Sequence, residues 1–280
     1  MKAVHKLLSV SVICASLSAS FICPASAQME LGIINQRGDL WAHDLTTTTI
    51  GPGVKLSGDP VVGSNDEFVL GKINEIGVVN KSGELWLHTV TDQSVFPGYR
   101  VPGSLFGGPI PARYVVWDGG RLIYVINTIG DVWAHYWTRD GVSGGYKLKG
   151  RPIVGPNDKY VVWEAGYTYG GRILVVNRQG EVWAHELSCS IPPIPPSFSC
   201  TIDTVAAGYK LNGPSLFGAP NDKYVAIAND LLMVINTSGE VWAHTISYRA
   251  VGPGYRLNGL KVFGGNDDRF VVVYEVVPVS

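Results

Sequence analysis

The amino-acid sequence predicts an all-β fold, a five-bladed β-propeller in which each blade has four strands. One hexapeptide occurs five times at intervals typical of propeller blades, and each interval holds four short strand candidates. The composition agrees, because 34 glycines and 17 prolines among 280 residues indicate many turns and short strands. We therefore expect residues 28–280 to form one propeller domain.

The repeated hexapeptide places a histidine two residues after a tryptophan. Its copies are GDLWAH (38–43), GELWLH (83–88), GDVWAH (130–135), GEVWAH (180–185) and GEVWAH (239–244). The five tryptophans are separated by 45, 47, 50 and 59 residues. Repeats of this length without helical periodicity are typical of propeller blades, and they are longer than leucine-rich or β-helix repeats.

Four strand candidates recur in each unit. The first is a β-branched run that ends at Asn-x-x-Gly, a hairpin signal, as in RLIYVIN (121–127), RILVVN (172–177) and LLMVIN (231–236). The hexapeptide is the second. The third contains GYRV (98–101), GYKL (145–148, 208–211) and GYRL (254–257). The fourth follows Asn-Asp turns at Asn65, Asn157, Asn221 and Asn266, as in KYVVW (159–163), KYVAI (223–227) and RFVVV (269–273).

The ends of the repeat region predict how the ring closes. The first unit opens with LGIIN (31–35) and has no preceding YVV-type strand, whereas the last such strand, FVVVYEV (270–276), has no following unit. Adding the C-terminal strand to the first blade would give the first unit its missing strand and the last strand a unit to join. It would also remove exposed sheet edges. We therefore expect closure by pairing of the two ends.

One unit carries an insertion. The repeat histidine precedes the third-strand aromatic residue by 11 residues in three units, and Val54 stands at that distance in the first. In the fourth unit the spacing is 24 residues, and the extra segment contains Cys189, Cys200 and the proline-rich stretch between them. We interpret residues 189–200 as a decorated loop closed by a disulfide, worth roughly 3 kcal/mol. A metal or redox site is disfavoured because CxxC spacing is absent.

Residues 1–27 are predicted to be a cleaved signal peptide. Lys2 and Lys6 precede an apolar, serine-rich run, and Ala25-Ser26-Ala27 matches the small-x-small cleavage pattern. The apolar run is short for a membrane span. A lipid anchor on Cys23 is a less favoured alternative. The mature protein is expected to be secreted or periplasmic.

Strand alternation puts the acidic residue, Trp and His of each hexapeptide on one face and the small apolar residues on the other. In the structural interpretation, each Trp is buried in the core, and the repeat histidine either bonds to its indole N–H or bonds to a neighbouring loop. In the functional interpretation, Trp is an aromatic platform for sugars and its polar neighbours bind hydroxyls. The ligand-binding candidates are Trp41, His43, Trp86, His88, Trp133, His135, Trp183, His185, Trp242, His244, Tyr99, Tyr146, Tyr209 and Tyr255.

Several other functions are disfavoured. A formal net charge of −1 without a basic block argues against nucleic-acid binding. No cofactor is expected, and zinc is disfavoured because ligands must converge on one ion and HExxH is absent. For catalysis, GxSxG is absent, and the unrepeated carboxylates Glu75, Asp118 and Glu164 have no supporting motif. A five-bladed glycosidase is therefore the least favoured alternative, and we expect a protein that is not an enzyme.

Two stretches resemble known tandem-repeat propeller lectins. VINTSGEVWAH followed by GYRLNG resembles tectonin-type repeats, and GRLIYVINTIGDVWAHYW with GGYKLKG resembles blades of bacterial fucose-binding lectins. The tachylectins supply a five-bladed precedent. The resemblance, over residues 29–277, implies multivalent, non-catalytic binding of glycans or glycoproteins between blades. The third-strand Trp of those families is Tyr here, or Val54, so their platform residues do not transfer. A protein-interaction scaffold of the cell envelope or of host contact is the alternative.

Overall fold

The computed structural model describes residues 28–106, 111–164, 171–189, 201–216, 222–228, 230–262 and 268–276. All regular structure in these ranges is β-strand, as predicted. The predicted signal peptide (1–27) and Cys200 lie outside the described residues, so cleavage and the disulfide stay predictions.

In chain order the strands of the first two repeats are β1 (Gln28–Asn35), β2 (Leu40–Asp44), β3 (Thr49–Ile50), β4 (Val54–Lys55), β5 (Ser57–Gly58), β6 (Asp66–Lys72), β7 (Glu75–Asn80), β8 (Leu85–Thr89), β9 (Ser94–Val95) and β10 (Tyr99–Val101). The strands that follow are β11 (Ala112–Trp117), β12 (Leu122–Asn127), β13 (Val132–Thr138), β14 (Gly141–Val142), β15 (Tyr146–Lys147), β16 (Asp158–Glu164), β17 (Arg172–Asn177), β18 (Val182–Ser188), β19 (Thr204–Val205), β20 (Tyr209–Lys210), β21 (Asp222–Ala228), β22 (Leu231–Asn236), β23 (Val241–Thr245), β24 (Tyr255–Arg256), β25 (Asn258–Gly259) and β26 (Asp268–Val276).

Five antiparallel sheets form the blades, which we number 1 to 5. From the axis outwards their strand orders are β26-β1-β2-β4, β6-β7-β8-β10, β11-β12-β13-β15, β16-β17-β18-β20 and β21-β22-β23-β24. The innermost strands contact one another in the closed cycle β26, β6, β11, β16, β21 and back to β26. The predicted five-bladed propeller with four-stranded blades is therefore confirmed.

Blade 1 contains both ends of the repeat region. Strand β26 pairs with β1 along its length, from Gln28 opposite Val276 to Asn35 opposite Asp268. The C-terminal strand therefore joins the first blade and leaves β1 no open inner edge, as predicted.

The hexapeptide forms the third strand from the axis in every blade, inside a hairpin that an asparagine stabilises. In blade 4, Asn177 Oδ1 accepts the backbone N–H groups of Gln179 and Glu181, at 3.0 Å in both cases. Asn35, Asn80, Asn127 and Asn236 accept equivalent bonds. The YVV-type runs form the innermost strands.

The hydrophobic core lies between blades, in one cluster for each of the five neighbouring pairs. In each cluster the small apolar face of one blade packs against the tryptophan face of the next. Val132 and Ala134 of blade 3, for example, share a cluster with Ile173 and Val175 of blade 4. The alanines of the hexapeptide are buried, which lets adjacent sheets approach closely.

At the rim, each outer strand continues into a backbone contact with the next blade. Strand β25 pairs in parallel with β3 and β5 pairs with β9, and bridges or hydrogen bonds join the other three pairs. A glycine occupies each contact. At Gly213, whose φ is +120°, a β-carbon would lie 2.0 Å from the carbonyl oxygen of Val251, so any side chain there would clash.

Candidate functional site

The repeated tryptophans lie at the outer margin of the interblade core. Trp86 and Trp183 are 36% and 37% exposed, and the other three are partly buried. The structural interpretation expected a buried tryptophan in each blade. Trp41, Trp133 and Trp242 pack against the interblade clusters but are only partly buried, whereas Trp86 and Trp183 are exposed. The hexapeptide forms the third strand from the axis in each blade. At that distance neighbouring sheets have moved apart from each other.

A cation lies directly across the sheet from each tryptophan, on the same face. The cross-strand pairs are Trp41 with Lys55, Trp86 with Arg100, Trp133 with Lys147, Trp183 with Lys210 and Trp242 with Arg256. Each of these cations is about half exposed. Sequence reasoning missed these cations, although a Lys or Arg follows the outer-strand Tyr, or Val54, in every unit.

Each cation forms an ion pair with the acidic residue of its hexapeptide. The pairs are Asp39–Lys55 (3.0 Å), Glu84–Arg100 (2.8 Å), Asp131–Lys147 (2.7 Å), Glu181–Lys210 (2.6 Å) and Glu240–Arg256 (3.1 Å). The hydrogen bond from the lysine lowers the pKa of Asp39 and that of Glu181. Every blade thus presents an indole beside a charged donor and a charged acceptor, which we call the blade site.

The five repeat histidines are buried behind the blade sites. Each Nδ1 donates to a backbone carbonyl of the following loop, from His43 to Gly51 (3.0 Å), His88 to Phe96 (3.3 Å), His135 to Ser143 (3.1 Å), His185 to Ala206 (3.3 Å) and His244 to Gly252 (3.1 Å). Of the two partners expected for the repeat histidine, the neighbouring loop is therefore the one observed for Nδ1. Burial lowers the pKa of all five imidazoles, so the neutral form is favoured in the folded protein.

The outer-strand tyrosines lie on the opposite face of their blades, across from the hexapeptide alanine or Leu87. The Tyr146 hydroxyl donates to the carbonyl of Ile202 at 2.7 Å, and Tyr255 donates to that of Thr47 at 2.8 Å. Both bonds cross to the next blade. These contacts favour a structural role for Tyr146 and Tyr255.

A small cavity of about 220 Å³ lies beside the blade site of blade 4. Its lining residues are Ile153, Asp158, Val175, Trp183, His185 and Gly208. Asp158 Oδ2 accepts the backbone N–H of Gly155 at 2.5 Å, so this Asn-Asp turn is stabilised locally. The cavity is smaller than a typical drug-sized pocket.

A central cavity of about 770 Å³ runs along the axis, and the unrepeated acidic residues Asp118 and Glu164 contribute to its wall. Burial raises the pKa of Asp118, whose Oδ1 accepts the N–H groups of Gly120 and Leu122. Glu164 accepts two hydrogen bonds from Arg172. Both carboxylates are thus engaged in structural bonds. Glu75, the third candidate, pairs with Lys72 at 3.4 Å.

The histidines do not converge on the axis, because their strands are separated from it by two others. Within the described ranges, no group of three His, Cys, Asp or Glu side chains is placed to hold a metal ion. In the same part of the chain, no helix is long and apolar enough to cross a membrane.

No protein-family model and no curated protein matches the chain. Among solved structures it is similar to AofleA from Arthrobotrys oligospora, with a TM-score of 0.45, 12% identity, and coverage of 88% of this chain and 70% of that one. For the WD40 domain of SCAP from fission yeast the TM-score is 0.40 and the identity 12%, with coverage of 70% of this chain and 45% of that one. For yeast RCC1 (Prp20), solved with Kap60 bound, the same four values are 0.35, 11%, 79% and 57%. The chain thus spans under two thirds of the SCAP and Prp20 structures.

Proposed function

We propose that this protein binds carbohydrates at the five blade sites and is not an enzyme. The observation that supports the proposal is the fivefold combination of a partly exposed indole with an adjacent carboxylate–cation pair. A sugar ring has an apolar C–H face that packs on an indole, and hydroxyl edges that both donate and accept hydrogen bonds. The carboxylate accepts from such a hydroxyl, and the lysine or arginine donates to it.

Repetition of the polar residues supports this proposal, and the same carboxylates also accept a bond from the hairpin asparagine in four blades. A propeller core requires apolar residues at equivalent positions, but exposed surface ion pairs contribute at most about 1 kcal/mol to stability. Five equivalent sites on one rigid ring would give avidity for clustered glycans well above single-site affinity. The proposal therefore places weak binding at each blade and strong binding on multivalent surfaces.

The contacts narrow the candidate residues. Among the positions predicted from the sequence, Trp86, Trp183 and Tyr99 are the exposed ones, at 36%, 37% and 38%. The buried histidines are proposed to hold the strands that carry them. Tyr146 and Tyr255, whose hydroxyls bond to the next blade, are proposed to do the same. The cations opposite the tryptophans are added to the proposed site.

A glycan array tests the proposal directly. We expect the mature protein to bind a subset of glycans, and Trp183→Ala to lower the number of sites measured by calorimetry by one. Tyr136→Ala is the matched control, because Tyr136 is an aromatic residue outside the blade sites that is 38% exposed, close to the 37% of Trp183. Absence of binding to every glycan by a correctly folded protein would contradict the proposal and favour the protein-interaction scaffold.

We also infer export, with removal of residues 1–27 and a disulfide between Cys189 and Cys200. Cys189 packs against the core between blades 3 and 4, at the start of the inserted loop. Intact-mass measurement should give a chain that begins at Gln28 and gains two hydrogens on reduction. Two free thiols in an oxidised preparation would contradict the disulfide.

A further inference from the structure

The rim between blades 4 and 5 departs from the fivefold repeat. The backbone carbonyl of Arg249 accepts a hydrogen bond from the N–H of Asn212, at the outer edge of the preceding blade. Residues of other blades whose carbonyls accept the same interblade bond are equivalent to Arg249. These equivalents are Thr48, Gln93 and Asp203. Of these four equivalent positions, the one in blade 5 is therefore the one that holds an arginine. The fold does not require an arginine there.

Arg249 joins a group of side chains that we call the rim cluster, which consists of Arg172, Glu186, Tyr209, Tyr248 and Arg249. The tyrosine hydroxyls of the cluster converge on one carboxylate. Glu186 Oε1 accepts from Tyr248 at 2.5 Å and from Tyr209 at 3.0 Å. This arrangement fixes both rings.

Arg172 anchors the cluster from below. Its guanidinium is buried, donates two bonds to Glu164, and donates to the carbonyls of Ser247 (2.9 Å) and Tyr248 (2.6 Å). The turn that carries Tyr248 and Arg249 is therefore held against blade 4. The paired charges of Arg172 and Glu164 leave Arg249 as the exposed cation of the cluster.

The guanidinium of Arg249 rests on the two tyrosine rings. Its central carbon lies 4.7 Å from the ring centre of Tyr209 and 5.1 Å from that of Tyr248. The side chain is exposed, and among the described residues no carboxylate forms an ion pair with it. A guanidinium held on aromatic faces with its N–H groups unpaired is suited to bidentate binding of a carboxylate.

We propose that the rim cluster binds an acidic sugar, with Arg249 on its carboxylate and the ring of Tyr248 against its C–H face. Tyr248 is 37% exposed and is the large apolar side chain that this cluster presents. A protein interface typically buries about 800 Å² on each partner, so a single exposed ring favours a small ligand. The site is separate from the blade sites and goes beyond the function proposed for them.

The experiment compares methyl glucuronoside with methyl glucoside, which differ in the carboxylate, by NMR titration of the mature protein. We expect the glucuronoside to perturb the rim cluster and Arg249→Gln to weaken this binding by about tenfold or more. Arg249→Lys should lose most of it, because a lysine cannot form the bidentate contact. Arg121→Gln is the matched control and should bind like wild type, because Arg121 is exposed and forms no ion pair with any described residue.

Equal affinity for the two glycosides, or unchanged binding by Arg249→Gln, would overturn the proposal. Acetate that competes as strongly as the glucuronoside would show that the sugar ring contributes nothing and would also overturn it. Preference for an acidic peptide over both glycosides would assign the cluster to a protein contact instead. Trp183→Ala should leave glucuronoside binding intact, so failure of the blade sites and failure of the rim cluster are distinguishable.

Discussion

The imidazole of His135 lies against the backbone of Gly145, so closely that a β-carbon at residue 145 would be 2.2 Å from Cε1 of the ring. The same contact joins His43 to Gly53, His88 to Gly98, His185 to Gly208 and His244 to Gly254. The histidine and the glycine of each unit are therefore one structural device, in which a flat ring packs where the chain has no side chain.

Gly145→Ala is expected to destabilise the protein by about 1–3 kcal/mol, because the new methyl group overlaps a buried ring. Gly144→Ala is the control, since nothing lies within 4 Å of a β-carbon at residue 144. Urea unfolding should show a lower midpoint for the first variant and an unchanged one for the second. Equal midpoints would contradict the close contact.

Stability should decrease as the pH falls below about 6.5. Burial lowers the pKa of the five repeat histidines, so below that pH the unfolded chain binds protons that the folded chain resists. Their contribution is complete above the unfolded pKa and is lost on acidification. Urea unfolding between about pH 7.5 and 5.5 measures the slope, which His135→Gln should make shallower. A pH-independent stability over this range would refute the prediction.

Trp183→Ala should cost about 1–3 kcal/mol, because the indole is only partly buried. Trp137 offers a comparison in the neighbouring blade, since it is 6% exposed and its Nε1 donates to the carbonyl of Gly120 at 3.0 Å. Trp137→Ala should therefore cost more, about 3–5 kcal/mol. Thermal unfolding of the two variants checks the order, and a larger loss for Trp183→Ala would contradict the assignment of Trp183 to the blade site.

A chain that ends at residue 267 lacks β26, the innermost strand of blade 1. It is expected to unfold or aggregate, because β1 becomes an open edge and the axial cavity loses one wall. A chain that ends at Val276 keeps the strand and serves as the control. Size-exclusion chromatography should give one monodisperse peak for the control and none for the shorter chain.

The number of blades, the four strands of each blade and the closure by the last strand could be predicted from the sequence. These properties follow from local patterns, namely the period of two in a strand, the Asn-x-x-Gly turns and the regular spacing of the hexapeptide. The two faces of the third strand could also be assigned, because alternation places Ala184 opposite in direction to Trp183 and His185.

Other properties depend on the rotation between blades and on the register of strands far apart in the chain. The exposure of Trp183 is of this kind. The position of Lys210 beside Trp183 and the bond from His185 to Ala206 depend instead on the strand register within one blade. The rim cluster is the extreme case, because Arg172 and Tyr248 are 76 residues apart. The sequence by itself thus determined the repeating architecture through short-range patterns. Tertiary structure alone decided which side chains meet between blades, because those contacts are made by residues that no local pattern relates.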